Sequence, residues 1–173
     1  ITFENCVIAD NFAMSSWNGN GNADGGKGGG AIYMHNAVPN MQGFFVKFNL
    51  VNTTILYNYA QGAGGAILCK YGRSTNEFNI INCTITENMS GALNGNGYDA
   101  AGIRTLDADG DLSPQAMRKR IWNSIIENNH ASNPMQLNDG RPDLYYGDVN
   151  FQNSKNKDVV ANLDLRRSWL GRI

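Results

Sequence analysis

This chain of 173 residues has no long apolar runs, few histidines and prolines, and almost no net charge. No apolar stretch approaches the roughly 18 residues of a membrane-spanning helix, so the sequence predicts no transmembrane segment. The net charge of -1 lacks the basic excess that general nucleic-acid binding requires, and no nucleic-acid partner is expected. Because Ile1 opens directly on a predicted strand, with no Met and no export signal before it, we expect a piece of a longer protein.

The chain contains instead a repeat, Asn-x-x-Ile-x-x-Asn, which occurs four times at intervals of 47, 30 and 41 residues. Constant spacing within a copy and variable spacing between copies indicate stacked units with loops inserted between fixed strands. The repeat residues are Asn5, Ile8 and Asn11; Asn52, Ile55 and Asn58; Asn82, Ile85 and Asn88; and Asn123, Ile126 and Asn129.

A second element, Gly-Gly-Ala-Ile, lies between the copies. It occurs at residues 29–32 and 64–67, and a degenerate form occurs at residues 101–103. Apolar residues alternate along each segment, which predicts strands that bury one face inside the stack. Asn suits the corners, because it tolerates left-handed backbone and stacked amides can hydrogen-bond into a ladder.

These features predict an all-β fold, a right-handed parallel β-helix (solenoid) of about four to five coils. We expect residues 1–155 to form the β-helix and residues 156–173 to form an irregular C-terminal coil or cap. One short helix is predicted in an insert, with Ser113 as N-cap, Pro114 at the first helical position and residues 115–120 following. The basic run at residues 118–120 is predicted to be a solvated face or loop.

Cys6, Cys69 and Cys83 are predicted to be small buried thiols. Cys6 and Cys83 hold the same position in the first and third copies, about 9–10 Å apart and beyond disulfide reach. No CxxC or Cys/His pairing provides a metal site. The N-glycosylation patterns at Asn52, Asn82 and Asn88 are attributed to the repeat, and we expect the corner side chains of Asn52 and Asn82 to face inward, where a glycan could not fit.

The motifs resemble those of a known family of bacterial surface proteins. Ile55-x-x-Asn58-x-Ala60 followed by Gly-Gly-Ala-Ile at residues 64–67 is similar to the paired FxxN and GGAI repeats of polymorphic outer-membrane proteins, with Ile where Phe is usual. Residues 123–126 and 143–146 also resemble the closing coils of secreted β-helix proteins of Bacteroidetes type. The resemblance covers about residues 1–155 and implies an exported protein, extracellular or on the outer-membrane surface; it is specific for fold and not for activity.

Catalysis is disfavoured by the absence of the motifs of pectin-active β-helix enzymes. Asn-Thr-Asp, Asp-Asp, Gly-His-Gly and Arg-Ile-Lys do not occur in the chain. Glu87 and Glu127 are the remaining catalytic candidates, since they fall one position apart on successive copies and could form a glycosidase-like carboxylate pair. His35 and His130 are isolated and are predicted to be ordinary surface or turn histidines.

The candidate ligand-binding residues are Tyr33, Arg104 and Tyr57. Tyr33, Leu68 and Arg104 hold the same outward position in successive copies, so that they could bind a sugar by stacking and hydrogen bonds; the alternative is that loops cover this face. Tyr57 adds aromatic surface.

Calcium is the only cofactor for which the sequence offers candidate ligands. Asp107, Asp109 and Asp111 alternate as calcium ligands do. However, Leu112 and Arg118 stand where an EF-hand requires Gly and Glu, which favours a polar loop.

The sequence therefore predicts an adhesive or stalk module of an exported cell-surface protein, with a glycan or host-surface ligand as partner. Specificity is expected in the variable segments at residues 14–28, 36–47, 91–100 and 104–119. The alternative is a polysaccharide lyase or glycoside hydrolase of the β-helix type, and a third reading is a spacer with no ligand.

Overall fold

The computed structural model describes residues 1–14, 28–35, 46–61, 64–71, 76–91, 101–107, 118–132, 144–145, 149–153 and 163–170. Within these residues the fold is all-β and contains no helix. The strands are β1 Thr2–Glu4, β2 Val7–Ala9, β3 Phe12–Ala13, β4 Ile32–His35, β5 Val46–Val51, β6 Thr54–Leu56, β7 Tyr59–Ala60, β8 Ile67–Tyr71, β9 Asn76–Ile81, β10 Thr84–Thr86, β11 Met89–Gly91, β12 Ile103–Asp107, β13 Arg118–Trp122, β14 Ile125–Glu127, β15 His130–Ser132, β16 Leu144–Tyr145, β17 Val149–Asn153, β18 Leu163–Arg166 and β19 Trp169–Leu170.

The strands stack into four sheets, which the chain visits in a fixed order. Sheet A is β1-β5-β9-β13-β18, sheet B is β2-β6-β10-β14-β19, sheet C is β3-β7-β11-β15-β16, and sheet D is β4-β8-β12-β17. Among the described strands, β15 and β16 pair antiparallel and all other pairs are parallel. Parallel strands stacked in this way are the arrangement of a parallel β-helix or related solenoid.

The core forms where equivalent residues of successive copies meet. Ile8, Ile55, Ile85 and Ile126 align in register across sheet B, as the repeat predicts. The last three are fully buried, whereas Ile8 in the first copy is only partly buried. Sheet A adds stacked rings of Phe48 and Phe78, whose centroids are 5.2 Å apart. One face of each strand is therefore buried inside the stack.

Two left-handed corners occur in every copy of the repeat. The first Asn of each copy has φ between 47° and 54°, as expected for a corner Asn. The second corner is not the second Asn but the residue before it, with φ between 55° and 57°. These second-corner residues are Asp10, Tyr57, Glu87 and Asn128.

The second Asn of each copy is part of an amide ladder, which is buried from the second copy onward. Nδ2 of Asn11 donates to Oδ1 of Asn58, Asn58 donates to Asn88, and Asn88 donates to Asn129, at 2.9, 2.9 and 2.8 Å. Asn58, Asn88 and Asn129 have almost no exposed surface. Each of these buried amides also donates to the carbonyl oxygen of the core Ile in the preceding copy. The predicted ladder is confirmed, and its amides are bonded on both sides.

The first Asn of each copy forms a second ladder, which lies at the surface. Nδ2 of Asn52 donates to Oδ1 of Asn5 at 3.2 Å, and Nδ2 of Asn82 donates to Oδ1 of Asn52 at 3.1 Å. These side chains are exposed. The expectation that Asn52 and Asn82 face inward is therefore wrong. The left-handed corner directs these side chains outward, and the buried residue of each of these two copies is the second Asn.

The residue after each first Asn closes the corner with its own side chain. Thr53 Oγ1 and Ser124 Oγ donate to carbonyl oxygens two residues earlier at 2.8 Å, and the Cys6 and Cys83 thiols make the same contact at 3.1 Å. All three cysteines are free; Cys69 and Cys83 are buried, and burial raises the pKa of the Cys83 thiol. Cys6 is only half-buried, since no described strand covers the outer side of its copy.

The glycines of the second element are required by backbone geometry. Gly29 and Gly64 have φ of 75° and 67°, which L side chains rarely adopt. A Cβ on Gly30 would collide with the Gly65 carbonyl oxygen of the next copy. The Gly-Gly pair therefore provides a left-handed turn followed by close backbone contact between copies.

The basic run at residues 118–120 lies in a strand, and the prediction of a helix is wrong for these residues. They belong to β13, which pairs with β9 and places Lys119 beside Phe78. Lys119 is buried at this core position, so the prediction of a solvated basic face is wrong for Lys119. The rest of the predicted helix lies outside the described residues.

The C-terminal segment continues the stack. Strand β18 pairs with β13 and β19 pairs with β14. Arg167, with φ of 50°, takes the corner position that Asn holds in the four copies, and Ser168 takes the following position. The domain boundary at residue 155 stays a prediction.

Candidate functional site

The outward row of sheet D aligns as the sequence predicts. Tyr33, Leu68 and Arg104 are in register on β4, β8 and β12. Leu68 is fully buried, Arg104 is half-buried and Tyr33 is 40% exposed. Burial raises the pKa of the Tyr33 hydroxyl and lowers the pKa of the Arg104 guanidinium. The row is therefore covered at its centre, and ligand binding by Tyr33 and Arg104 stays a prediction.

The two candidate carboxylates stand one position apart, as predicted. Glu127 pairs with Thr86 in sheet B, while the backbone N–H of Glu87 donates to the carbonyl of Asn128 at 3.1 Å. Glu87 Oε2 lies 3.6 Å from Nε2 of His130. The side chain that lies beside Glu87 is thus the imidazole of His130. His130 was predicted to be isolated, because sequence spacing does not show that Glu87 and His130 meet across two copies.

A ridge between sheets B and C carries the second-corner residues, which we call the corner row: Asp10, Tyr57, Glu87 and Asn128. Stacked copies place such equivalent positions about 4.8 Å apart. Asp10, Tyr57 and Asn128 are exposed, and Tyr57 has 57% of its surface accessible. The left-handed backbone turns each of these side chains away from the Asn that follows it. The corner row therefore presents an aromatic ring between two carboxylates.

Beside the corner row, the outer face of sheet C carries a second line of side chains, which we call the sheet C row: Phe12, Tyr59, Met89 and His130. The ring centroids of Phe12 and Tyr59 are 6.0 Å apart. Phe12 is 71% exposed and Met89 is also exposed. The two rows together form a surface of aromatic rings, carboxylates and an imidazole. Such groups can stack on a sugar ring and hydrogen-bond its hydroxyls.

Sheet A carries a polar network that the sequence did not reveal. Glu77 Oε2 lies 3.2 Å from Arg120 Nη1 and 3.5 Å from Lys47 Nζ. Arg120 also donates to Asn79 Oδ1 at 3.2 Å, and Asn79 donates to Asn49 Oδ1 at 2.9 Å. Burial works to raise the pKa of Glu77, but Arg120, a hydrogen bond from Asn79 and Lys47 together hold it below its usual value. These charges therefore pair with one another within sheet A.

The calcium candidates are not brought together by the described residues. Asp107 ends β12, and Asp109 and Asp111 lie outside the described residues. Over the described part of the chain, no three His, Cys, Asp or Glu side chains cluster to hold a metal ion. The calcium site stays a prediction.

No protein-family model, curated protein or solved structure matches this chain. In the described segments, no helix is long and apolar enough to cross a membrane. The fold and the surface rows thus define the class: an all-β protein of stacked parallel strands with an aromatic and acidic ridge.

Proposed function

We propose that this chain is a rigid adhesive or stalk module of an exported bacterial cell-surface protein. In this proposal the four sheets wind as a right-handed parallel β-helix, with four coils and the start of a fifth. The observation that carries the proposal is the buried ladder from Asn11 to Asn129, in which each amide bonds to the next copy at 2.8–2.9 Å. An amide ladder of this kind resists shear between copies, because sliding one copy would leave buried polar groups without partners.

A glycan is the ligand that the exposed chemistry supports. Tyr57 offers a ring face, and its corner-row neighbours Asp10 and Glu87 offer carboxylate oxygens. Aromatic stacking combined with hydrogen bonds to hydroxyls is the usual basis of sugar recognition by proteins. The corner row supports this ligand better than Tyr33 and Arg104, because Leu68 is buried between those two residues.

A polysaccharide lyase or glycoside hydrolase is the second candidate. Glu87 and Glu127 on neighbouring copies, with His130 at 3.6 Å from Glu87, are the residues that favour it. Such an enzyme needs one group to donate a proton and another to accept one or to attack.

Retention and cleavage of a panel of pectins and host glycans test both functions. We expect the chain to retain at least one glycan without cleaving it. Tyr57→Ala should weaken retention about tenfold or more, as loss of a stacked ring implies. Tyr33→Ala, a matched change in sheet D, should leave retention unchanged.

Three other results would each change a different part of this proposal. Loss of retention only in Tyr33→Ala would move the ligand to sheet D. Retention of no glycan would leave a stalk or spacer. Cleavage that Glu87→Gln or Glu127→Gln abolishes would establish the enzyme instead.

A further inference from the structure

Charge is distributed unevenly around the stack. Every Lys and Arg of the described strands lies in sheet A or sheet D. The segments that form sheets B and C in the four copies contain no Lys or Arg and three carboxylates, those of Asp10, Glu87 and Glu127. These segments are residues 5–14, 52–61, 82–91 and 123–132. The outer surface of sheets B and C, which we call the B–C face, is therefore acidic.

The carboxylates of the B–C face have little charge compensation. Within the described part of the chain, neither Asp10 nor Glu127 forms an ion pair. Glu87 lies beside His130, whose imidazole is a cation only when protonated, and 41% of the Glu87 side chain is still exposed. Glu127 pairs in sheet B with Thr86, the residue before Glu87, so these two carboxylates belong to neighbouring copies. A surface of one charge attracts a ligand of the opposite charge.

Aromatic rings stand beside these carboxylates. Tyr57 is the corner-row residue of the copy before Glu87, and 57% of its surface is exposed. Tyr59 adds a second, half-buried ring in the adjacent sheet C row. A cation such as an ammonium group is attracted to the face of an aromatic ring as well as to a carboxylate. The B–C face therefore suits a ligand that carries ammonium groups and can also stack on a ring.

We propose that the glycan recognised at the corner row is a polymer of amino sugars whose amines are not acetylated, an inference that rests on the proposed glycan-binding function. A sugar ring of this polymer stacks on Tyr57, and its protonated amines lie beside the carboxylates of Glu87 and Glu127. Corner positions of successive copies are about 4.8 Å apart along the stack, so an extended polymer meets one copy after another. Acidic glycans such as pectins are repelled by the same carboxylates.

Titration calorimetry of the whole chain with three oligosaccharides of equal length tests this selectivity. In mildly acidic buffer a glucosamine oligomer is positively charged, its fully N-acetylated counterpart is neutral, and a galacturonate oligomer is negatively charged. We expect the glucosamine oligomer to bind about tenfold more tightly than the N-acetylated oligomer, and the galacturonate oligomer to bind most weakly. The preference should shrink as salt rises from about 0.05 M to about 0.5 M, because salt screens exposed charges.

Variants that remove one charge assign the preference to particular carboxylates. Glu87→Gln and Glu127→Gln should each weaken binding of the glucosamine oligomer about threefold. Both should leave the N-acetylated oligomer unaffected, because Gln still hydrogen-bonds to hydroxyls. Glu4→Gln, the same change at an exposed carboxylate of sheet A, should alter neither affinity. Tyr57→Ala should weaken both, since it removes the stacked ring. Thermal melts check that each variant is folded.

The outcomes separate this inference from the glycan-binding function. If the chain retains other glycans but binds the glucosamine oligomer no better than the N-acetylated one, the inference is overturned and glycan binding stands. Retention of no glycan removes both. A preference that persists in Glu87→Gln and Glu127→Gln overturns the inference, as does an oligolysine peptide that binds as tightly as the glucosamine oligomer and is unaffected by Tyr57→Ala, which would indicate a basic peptide as the ligand.

Discussion

Asn58 donates from Nδ2 to Oδ1 of Asn88 at 2.9 Å and accepts at its own Oδ1 from Nδ2 of Asn11, also at 2.9 Å. The same Oδ1 accepts the backbone N–H of Asn11 at 3.1 Å. One buried side chain thus joins three copies of the repeat. Its polar atoms can be satisfied only when the copies are stacked in this register, which makes the amide a determinant of register as well as of stability.

Replacing Asn88 should be the most damaging change in the ladder. Asn88→Ala removes the acceptor for the backbone and side chain of Asn58 and the donor to Asn129, all in a buried setting. We expect a loss of about 2–4 kcal/mol in the free energy of unfolding, measured by urea denaturation. Asn11→Ala at the exposed end of the same ladder should cost less than about 1 kcal/mol. Equal losses at the two positions would contradict this account.

Gly65 should not tolerate even one methyl group. A Cβ there would lie 2.5 Å from the carbonyl oxygen of Ala101 and closer still to that of Met89, and neither backbone can move without disturbing a strand. Gly65→Ala should cost about 3 kcal/mol or more. In Gly91→Ala the nearest atom is the Tyr59 hydroxyl at 2.7 Å, a side-chain atom that can shift, and the cost should be about 1 kcal/mol or less. Chemical denaturation of both variants measures the difference.

Tyr57 should separate stability from ligand binding. Its φ of 56° is unfavourable for an aromatic residue, and Asn128 shows that Asn fits the same corner. Tyr57→Asn should stabilise the fold by about 0.5–1 kcal/mol and remove glycan retention. Tyr59→Asn, in the adjacent strand, should destabilise instead. Thermal unfolding and glycan-retention assays on the same samples show whether stability rises while retention is lost.

Glu77 should contribute to stability in a pH-dependent way. Its pKa lies below the usual value of 4.5 in the folded chain. The folded chain therefore favours the ionised carboxylate of Glu77. Its contribution to the free energy of unfolding is present above the unfolded-state pKa and is lost as pH falls through the lowered pKa. The stability difference between wild type and Glu77→Gln should shrink from about pH 5 downward.

Arg120→Gln provides the control for this pH dependence. It removes the nearest cation from Glu77, at 3.2 Å, and should move the acid transition of the chain to higher pH. An unchanged transition would show that Arg120 does not hold the carboxylate in its ionised form.

The repeat made the stacking, the register and the core isoleucines predictable. Invariant spacing forces Ile55, Ile85 and Ile126 into one row, whatever the loops between them do. The second corner was harder to locate, because Tyr57 and Glu87 are not residue types that favour left-handed backbone; the buried Asn after each of them imposes the corner. Lys119 was misassigned for a similar reason, since a basic run is normally solvated and only pairing with β9 places this side chain beside Phe78.

The candidate site was less predictable than the fold. Glu87 and His130 meet because two copies stack in register, and their distance along the chain carries no signal of contact. Leu68 was expected to be outward from strand alternation and is fully buried. Alternation assigns a side of the sheet, but it does not say whether another segment covers that side.

The unequal spacing of the copies also has a consequence for how the chain folds. Equivalent asparagines are linked across 47, 30 and 41 residues, yet make the same hydrogen bonds. Closing the 30-residue interval costs about 0.4 kcal/mol less entropy than closing the 47-residue one. The second and third copies, which also hold the stacked Phe48 and Phe78, are therefore the expected folding nucleus. From that pair the stack would grow outward in both directions.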